Sequence, residues 1–244
     1  MNGGVLMILS LILLAFVASA IGTITSFGTS TVMVPVLGLF YPLQITLLFT
    51  GVIHWFGNLW KMWFFRSGIQ LRLILLFGLP GIAASYLGAQ LMPNLNENIL
   101  SRLLGLFILL YVIFLAVKPD WEIVQTHTTA ILGGTLYGFS SGIFGVGGAI
   151  RAAFLASYNL KKDVFIFTAG TIGLFIDCGR IISYFLGGIR LTYDLTLALL
   201  LSLPASFLGG YVGKRITEKI PQKSFRYVIS GALFLIALKY IIWP

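Results

Sequence analysis

Apolar residues run through this chain in stretches too long for a water-soluble core. Gly4–Ala20, Leu71–Met92, Ile99–Val117, Leu195–Val212 and Tyr227–Trp243 come close to or reach the ~20 residues that cross a bilayer as a helix. Polar residues are gathered in short punctuating segments such as Lys161-Lys162 and Lys214–Arg226. Two apolar stretches, roughly 3–40 and 127–158, are interrupted internally, the first at Ser26-Phe27-Gly28-Thr29 and the second at Gly142-Ile143-Phe144-Gly145-Val146-Gly147-Gly148. Each is too long for one helix in a hydrocarbon core of ~30 Å. Glycines and small hydroxyl residues let the backbone leave the helix there. The amides so freed must face protein, solute or water, because lipid cannot satisfy them. Interrupted apolar segments at matching places in two halves of a chain point to the binding site of a transporter.

The halves are related along their length. Gly28 and Gly147, Gly51 and Gly170, Asn58 and Asp177, and Lys61 and Arg180 are each 119 apart; Gly68-Ile69-Gln70 and Gly188-Ile189-Arg190 are 120 apart. Pro80 and Tyr86-Leu87-Gly88 match Pro204 and Tyr211-Val212-Gly213 at 124 to 125. The polar stretch Lys118-Pro119-Asp120-Trp121-Glu122 marks the junction, giving a first transmembrane repeat over 1–120 and a second over 121–244. Each half reads as a broken segment followed by three ordinary helices.

Cation placement separates two topologies. With eight plain crossings the loop cations divide five to eight. With each broken segment entering and leaving on one side they divide ten to three, and only Arg102, Arg190 and Lys239 lie opposite the majority. The second division is the clearer positive-inside pattern. Each half then crosses an odd number of times, so the halves are inverted. The fold expected is an all-α polytopic membrane protein of two inverted repeats, each a broken or re-entrant glycine-containing hairpin followed by three transmembrane helices.

Composition agrees, with 58% hydrophobic and 9% charged residues against about 25% charged in soluble domains. The net charge of +9 follows from the loop cations and points to no nucleic acid, since no aromatic-interleaved basic patch accompanies it. Ala18-Ser19-Ala20 resembles a cleavage site, but no Lys or Arg precedes it, so the segment is expected to stay in the mature protein. A single cysteine, Cys178, excludes an internal disulfide and a multi-cysteine metal site. No cofactor is required. Gly209-Gly210 and Gly231-Ala232 suit packing within the chain or a homo-oligomer seam.

The candidate chemistry lies at the breaks and at the charges within spans. Amides of Ser26–Thr29 and Gly145–Gly148 at helix starts form anion-attracting nests, to which Ser26, Thr29, Ser30, Ser140 and Ser141 add hydroxyls. The plainer reading of such residues is small-residue helix packing. Asp177 and Arg180 share one helix face, as do Asn58 and Lys61, and Arg151 follows Gly148 by three. A charge at mid-bilayer costs at least ~2.5–3.5 kcal/mol on insertion scales, which marks each as a functional candidate. Against that, Asp177 and Arg180 can neutralise each other and Lys61 can snorkel. Lys61, Arg151 and Arg180 against Asp177 leave two positive charges, which suits a small anionic solute. Asp177, the one carboxylate within a span, is the candidate for ion coupling. His54, one turn before Asn58, reads as a packed helix histidine and His127 as interfacial. Gly138-Phe139-Ser140-Ser141-Gly142 matches a nucleophile motif formally, but that motif needs a preceding strand, so no enzyme is expected.

With Gly145-Val146-Gly147-Gly148-Ala149 in the second half and Ser26–Pro35 in the first, the chain resembles the sulfite exporter TauE/SafE family, whose halves carry a pattern like G-x-G-G-G-x-x-x-x-P-x-L. The second copy has Ala149 for the third glycine and Phe154 for the proline; the first keeps Pro35 but loses most glycines. The resemblance implies movement of sulfite-like or sulfonate-like anions across the cytoplasmic membrane, with the bilayer and the solute as partners. The expected binding set is Ser26, Gly28, Thr29, Ser30, Asn58, Lys61, Gly145, Gly147, Gly148, Arg151 and Arg180, with Asp177 coupling. An anion channel or an uptake permease on the same scaffold is the alternative, and an intramembrane enzyme a more distant one.

Overall fold

A computed structural model of the chain describes residues 2–25, 28–66, 68–117, 124–217, 234–235 and 237–243. Their helices, in chain order, are α1 (Asn2–Ile24), α2 (Ser30–Leu37), α3 (Leu43–Phe64), α4 (Leu71–Leu91), α5 (Glu97–Val117), α6 (His127–Phe144), α7 (Gly148–Ala156), α8 (Lys162–Leu186) and α9 (Tyr193–Thr217). Residues 237–242 are also helical, and a single 3-10 turn follows α4. Among the described residues no strand occurs. Five helices are long and apolar enough to span a bilayer, by length and composition: Gly4–Ile24, Leu71–Leu91, Glu97–Phe114, Asp163–Leu186 and Tyr193–Ile216. The chain is an all-α polytopic membrane protein. The expected junction at 118–122 lies outside the described residues.

Both interrupted stretches are broken where the glycines stand. α1 ends at Ile24, and the chain turns through Gly28, whose φ of +92° favours a residue without a side chain, into α2. The turn folds onto α1 at Gly22, where an added Cβ would lie 2.5 Å from the Thr29 nitrogen. α6 ends in a left-handed cap at Gly145, φ +68°, whose N–H bonds to the Ser141 carbonyl at 2.9 Å. α7 starts three residues later, at Gly148, and returns along α6. Phe154 fills the space beside Gly133, Arg151 Nη1 donates to the Tyr137 hydroxyl at 3.0 Å, and the Tyr158 hydroxyl donates to the Thr126 carbonyl at 3.0 Å. The second stretch is therefore a hairpin whose ends meet. Its arms are unequal: 18 residues in α6 and 9 in α7, about 27 and 14 Å.

Backbone contacts fix how the helices run. In α6, Gly134, Gly138 and Gly142 face the carbonyls of Phe77, Gly81 and Ser85 in α4, so these two helices run in the same direction. Gly209 and Gly213 of α9 face the carbonyls of Phe16 and Ala20 in α1 in the same sense. Glycines four apart put a ridge without side chains against the partner backbone, the close approach that drives helix association where lipid removes the hydrophobic effect. At the centre, α3 and α8 run oppositely: Gly51 faces Ile181, Asn58 meets Asp177, and Lys61 lies beside Gly170. α3 follows α9, with Trp60 on Ser206 and Phe64 on Lys214, while α8 follows α4, with Ser183 on Tyr86. α1, α3 and α9 thus point one way and α4, α6 and α8 the other.

Candidate functional site

α8 supplies the middle of the site. Asp177 and Arg180 are three residues apart on a helix, hence on one face, and both are fully buried. Arg180 Nε donates to Asp177 Oδ1 at 2.8 Å. The other carboxylate oxygen, Oδ2, accepts from Asn58 Nδ2 at 3.0 Å and lies 2.7 Å from His54 Nδ1. Asn58 and His54 are four apart on α3, which brings both to Asp177 as the helices cross.

Arg180 joins the two breaks. Its Nη2 donates to Ser30 Oγ at 3.3 Å, at the first residue of α2. Its Nη1 faces Gly145 at the end of α6, where an added Cβ would lie 3.1 Å away. That Nη1 atom is buried and has no hydrogen-bond partner among the described residues. Tyr184, one turn further along α8, donates to the Gly142 carbonyl at 2.5 Å and holds the end of α6 over the arginine. The remaining polar groups sit around this core. His54 Nε2 occupies the space beside Gly28, and Thr29 Oγ1, buried and without a hydrogen-bond partner among the described residues, faces Gly57.

A second cationic group adjoins the first. The absent side chain of Gly173 makes room for Arg151 Nη1 and Asn58 Nδ2, which stand 2.5 and 2.6 Å from its would-be Cβ. Arg151 is 1% exposed, stacked 5.1 Å over the Tyr137 ring. Lys61, two turns from His54, is 5% exposed, so it points inward and does not snorkel; its ammonium has no hydrogen-bond partner among the described residues. Three basic side chains, Lys61, Arg151 and Arg180, are buried with one acid, Asp177, and ionised basic groups so placed are costly unless an anion shares the space.

The expected residues are therefore placed unevenly. Gly28, Ser30, Asn58, Gly145, Asp177 and Arg180 converge, with Lys61 and Arg151 adjoining. Gly147 and Gly148 begin α7 and are buried, but Gly147 abuts Ser140 and Tyr137 of its own hairpin. Ser26 lies outside the described residues. Backbone amides are partly committed, since the Gly28 N–H returns to the Gly22 carbonyl at 3.4 Å and that of Gly145 to Ser141. His54 is the residue that sequence reasoning set aside. Its signal was its place with Asn58 and Lys61, four and seven positions on, along one face of α3. His127 is exposed and pairs with Arg72. Ser140 sits inside α6, bonded to the Tyr137 carbonyl, in no strand-to-helix turn. Cys178 accepts from Trp55 Nε1 at 3.0 Å, as a helix-packing residue would.

Bilayer-length helices around a desolvated ionic centre, with two chain breaks beside it, fit a polytopic membrane transporter. The chain belongs to the sulfite exporter TauE/SafE family, whose profile matches residues 11–240 and so takes in both breaks. It is similar to a probable membrane transporter protein of Methanocaldococcus jannaschii, 27% identical over 186 residues that make up 70% of this chain and 68% of that protein. No solved structure matches it.

Proposed function

We propose that this protein is a secondary transporter that exports a small sulfur-containing anion, sulfite or a sulfonate, across the cytoplasmic membrane by alternating access. The repeats 1–120 and 121–244 are inverted copies, and the anion binds where their breaks meet. Arg180, Arg151, Lys61 and Asn58 supply its charge and hydrogen bonds. Gly28, Thr29 and Ser30 line it on one side and Gly145 on the other, with Gly147 and Gly148 holding the second break in shape behind it. Asp177 is the centre of ion coupling.

The observation that carries this reading is Arg180, fully buried, bonded to Ser30 at one break and facing Gly145 at the other with Nη1 still available. A guanidinium so placed offers donors to an oxyanion that arrives between the repeats. The opposed directions of α3 and α8 support inversion, because the sequence pairs Asn58 with Asp177 as equivalent positions. Closed at one side and opened at the other, two such copies expose one site alternately.

The test is flux in proteoliposomes with a panel of sulfite, sulfate, thiosulfate, methanesulfonate and acetate. Accumulation of a sulfur oxyanion against its gradient is expected. Arg180→Ala and Gly147→Leu, the latter placing atoms against Ser140 and Tyr137, are each expected to reduce it at least ~10-fold, about 1.4 kcal/mol. Flux that never exceeds equilibrium identifies a channel, and undiminished flux in both variants removes the site.

A further inference from the structure

We infer that the proton accompanying the anion is carried on Nε2 of His54, which makes this histidine, held by Asp177, the coupling group. The inference rests on the transporter reading and assigns its coupling step to an atom. Asp177 centres that step by holding the histidine and does not itself take the proton. Its two oxygens face His54, Asn58 and Arg180, so a proton on the carboxyl would compete with donors already in place. His54 has one nitrogen against the carboxylate and one turned away from it. Nδ1 lies 2.7 Å from Asp177 Oδ2, a separation two acceptors avoid, so we assign the proton of the neutral ring to Nδ1. In the neutral ring Nε2 is then a bare lone pair. It is buried, has no hydrogen-bond partner among the described residues, and points into the space left by the absent side chain of Gly28, 2.5 Å from the Cβ position.

A lone pair aimed at the first break repels an anion held there, whereas a protonated Nε2 donates to it. Anion and proton therefore each favour the other, and the coupling is reciprocal. The charges facing the ring are Asp177 and Arg180 on α8 and Lys61 on α3 itself, with Arg151 on α7 and Tyr137 on α6 adjoining that group. The basic groups around the ring oppose a further positive charge; a bound anion offsets them and admits the proton. Water on the loading side supplies the proton, one N–H bond forms, and it breaks to water on the releasing side as the anion leaves.

Two measurements test this. His54 and His127 are the only histidines, so His127→Gln leaves a single imidazole for 15N NMR. The solute-free protein at neutral pH is expected to show Nδ1 protonated and Nε2 bare; a proton on Nε2, in either the other tautomer or the imidazolium, overturns the inference. In proteoliposomes loaded with a pH dye, protons and anions are counted together for the panel anion that moves fastest. His54→Asn keeps a donor toward Asp177 and lacks Nε2, and its folding is verified by size exclusion. The parent is expected to move about one proton per anion more than this variant, the anion's own protonation cancelling in the difference. Equal ratios overturn the assignment. If the parent moves no anion at all, the transporter reading falls and the coupling role with it, while the tautomer remains decided by NMR.

Discussion

Arg180 makes bonds that a lysine cannot copy. Its Nε holds Asp177, its Nη2 holds Ser30 and its Nη1 faces Gly145, three directions from one rigid plane. A lysine ammonium is a single point of charge on a flexible stem. Arg180→Lys is thus expected to keep the net charge yet lose most flux, by ~10-fold or more, measured in the proteoliposome assay. Removing the other partner acts on stability. Asp177→Ala leaves Arg180 buried without its carboxylate, an uncompensated charge worth about 3–5 kcal/mol, and a marked fall in the thermal midpoint of the detergent-purified protein is expected. A midpoint equal to the parent's would mean that water reaches the arginine. At this scale the sequence exposes which residues are charged within apolar runs, and the neutralising Asp177–Arg180 pair three apart. It does not expose His54 as the partner of Asp177, because that contact joins positions 123 apart on different helices and no local spacing records a crossing. Nor does it separate Lys61 pointing inward from Lys61 reaching outward. Burial alone decides that.

Helices pack here through glycine, and the α4–α6 seam shows how strictly. Any side chain at Gly138 would meet the Gly81 carbonyl carbon, 2.7 Å from its Cβ, and one at Gly142 the Ser85 carbonyl carbon at 2.9 Å. Gly4, on the exposed face of α1, has nothing within 4 Å. Gly138→Leu is expected to destabilise the protein by on the order of 3 kcal/mol, lowering the monodisperse yield in size exclusion, whereas Gly4→Leu leaves it unchanged. A harmless Gly138→Leu would show that the seam is open in the membrane. Element lengths were legible from hydropathy for most spans, and both breaks fall where glycines interrupt the apolar runs. α3 was harder to recognise as a span. It has 22 residues, ample to cross, but His54, Asn58 and Lys61 sit within it and dilute its apolar character. The same polar residues that build the centre hide the helix that carries them. The unequal arms of the second hairpin were not legible either, since the αL turn at Gly145 is one of several glycines that could have hosted it.

At the scale of the whole molecule the arrangement reduces to direction. α1, α3 and α4 run opposite to α6, α8 and α9 respectively, the helices that the proposed repeats would make their counterparts. A two-fold axis lying in the membrane plane produces this pattern; an axis along the normal would keep equivalents parallel. The turn after α3 and the turn after α8 then emerge on opposite faces. Both hold a glycine at positive φ, Gly68 at +69° and Gly188 at +84°, as copies of one turn would. Charge says which face is which. In the proposed topology Arg66 and Arg72, at the first turn, belong with the cation-rich side, whereas Arg190 marks the second. In a Cys178→Ala background, Gln70→Cys and Tyr193→Cys place a thiol at each turn, both on exposed residues. A membrane-impermeant maleimide applied to intact cells is expected to label Tyr193→Cys, and to label Gln70→Cys only after permeabilisation. Labelling of both from the same side would make the repeats parallel, and the anion could then no longer be presented to alternate faces by exchanging the conformations of two equivalent halves.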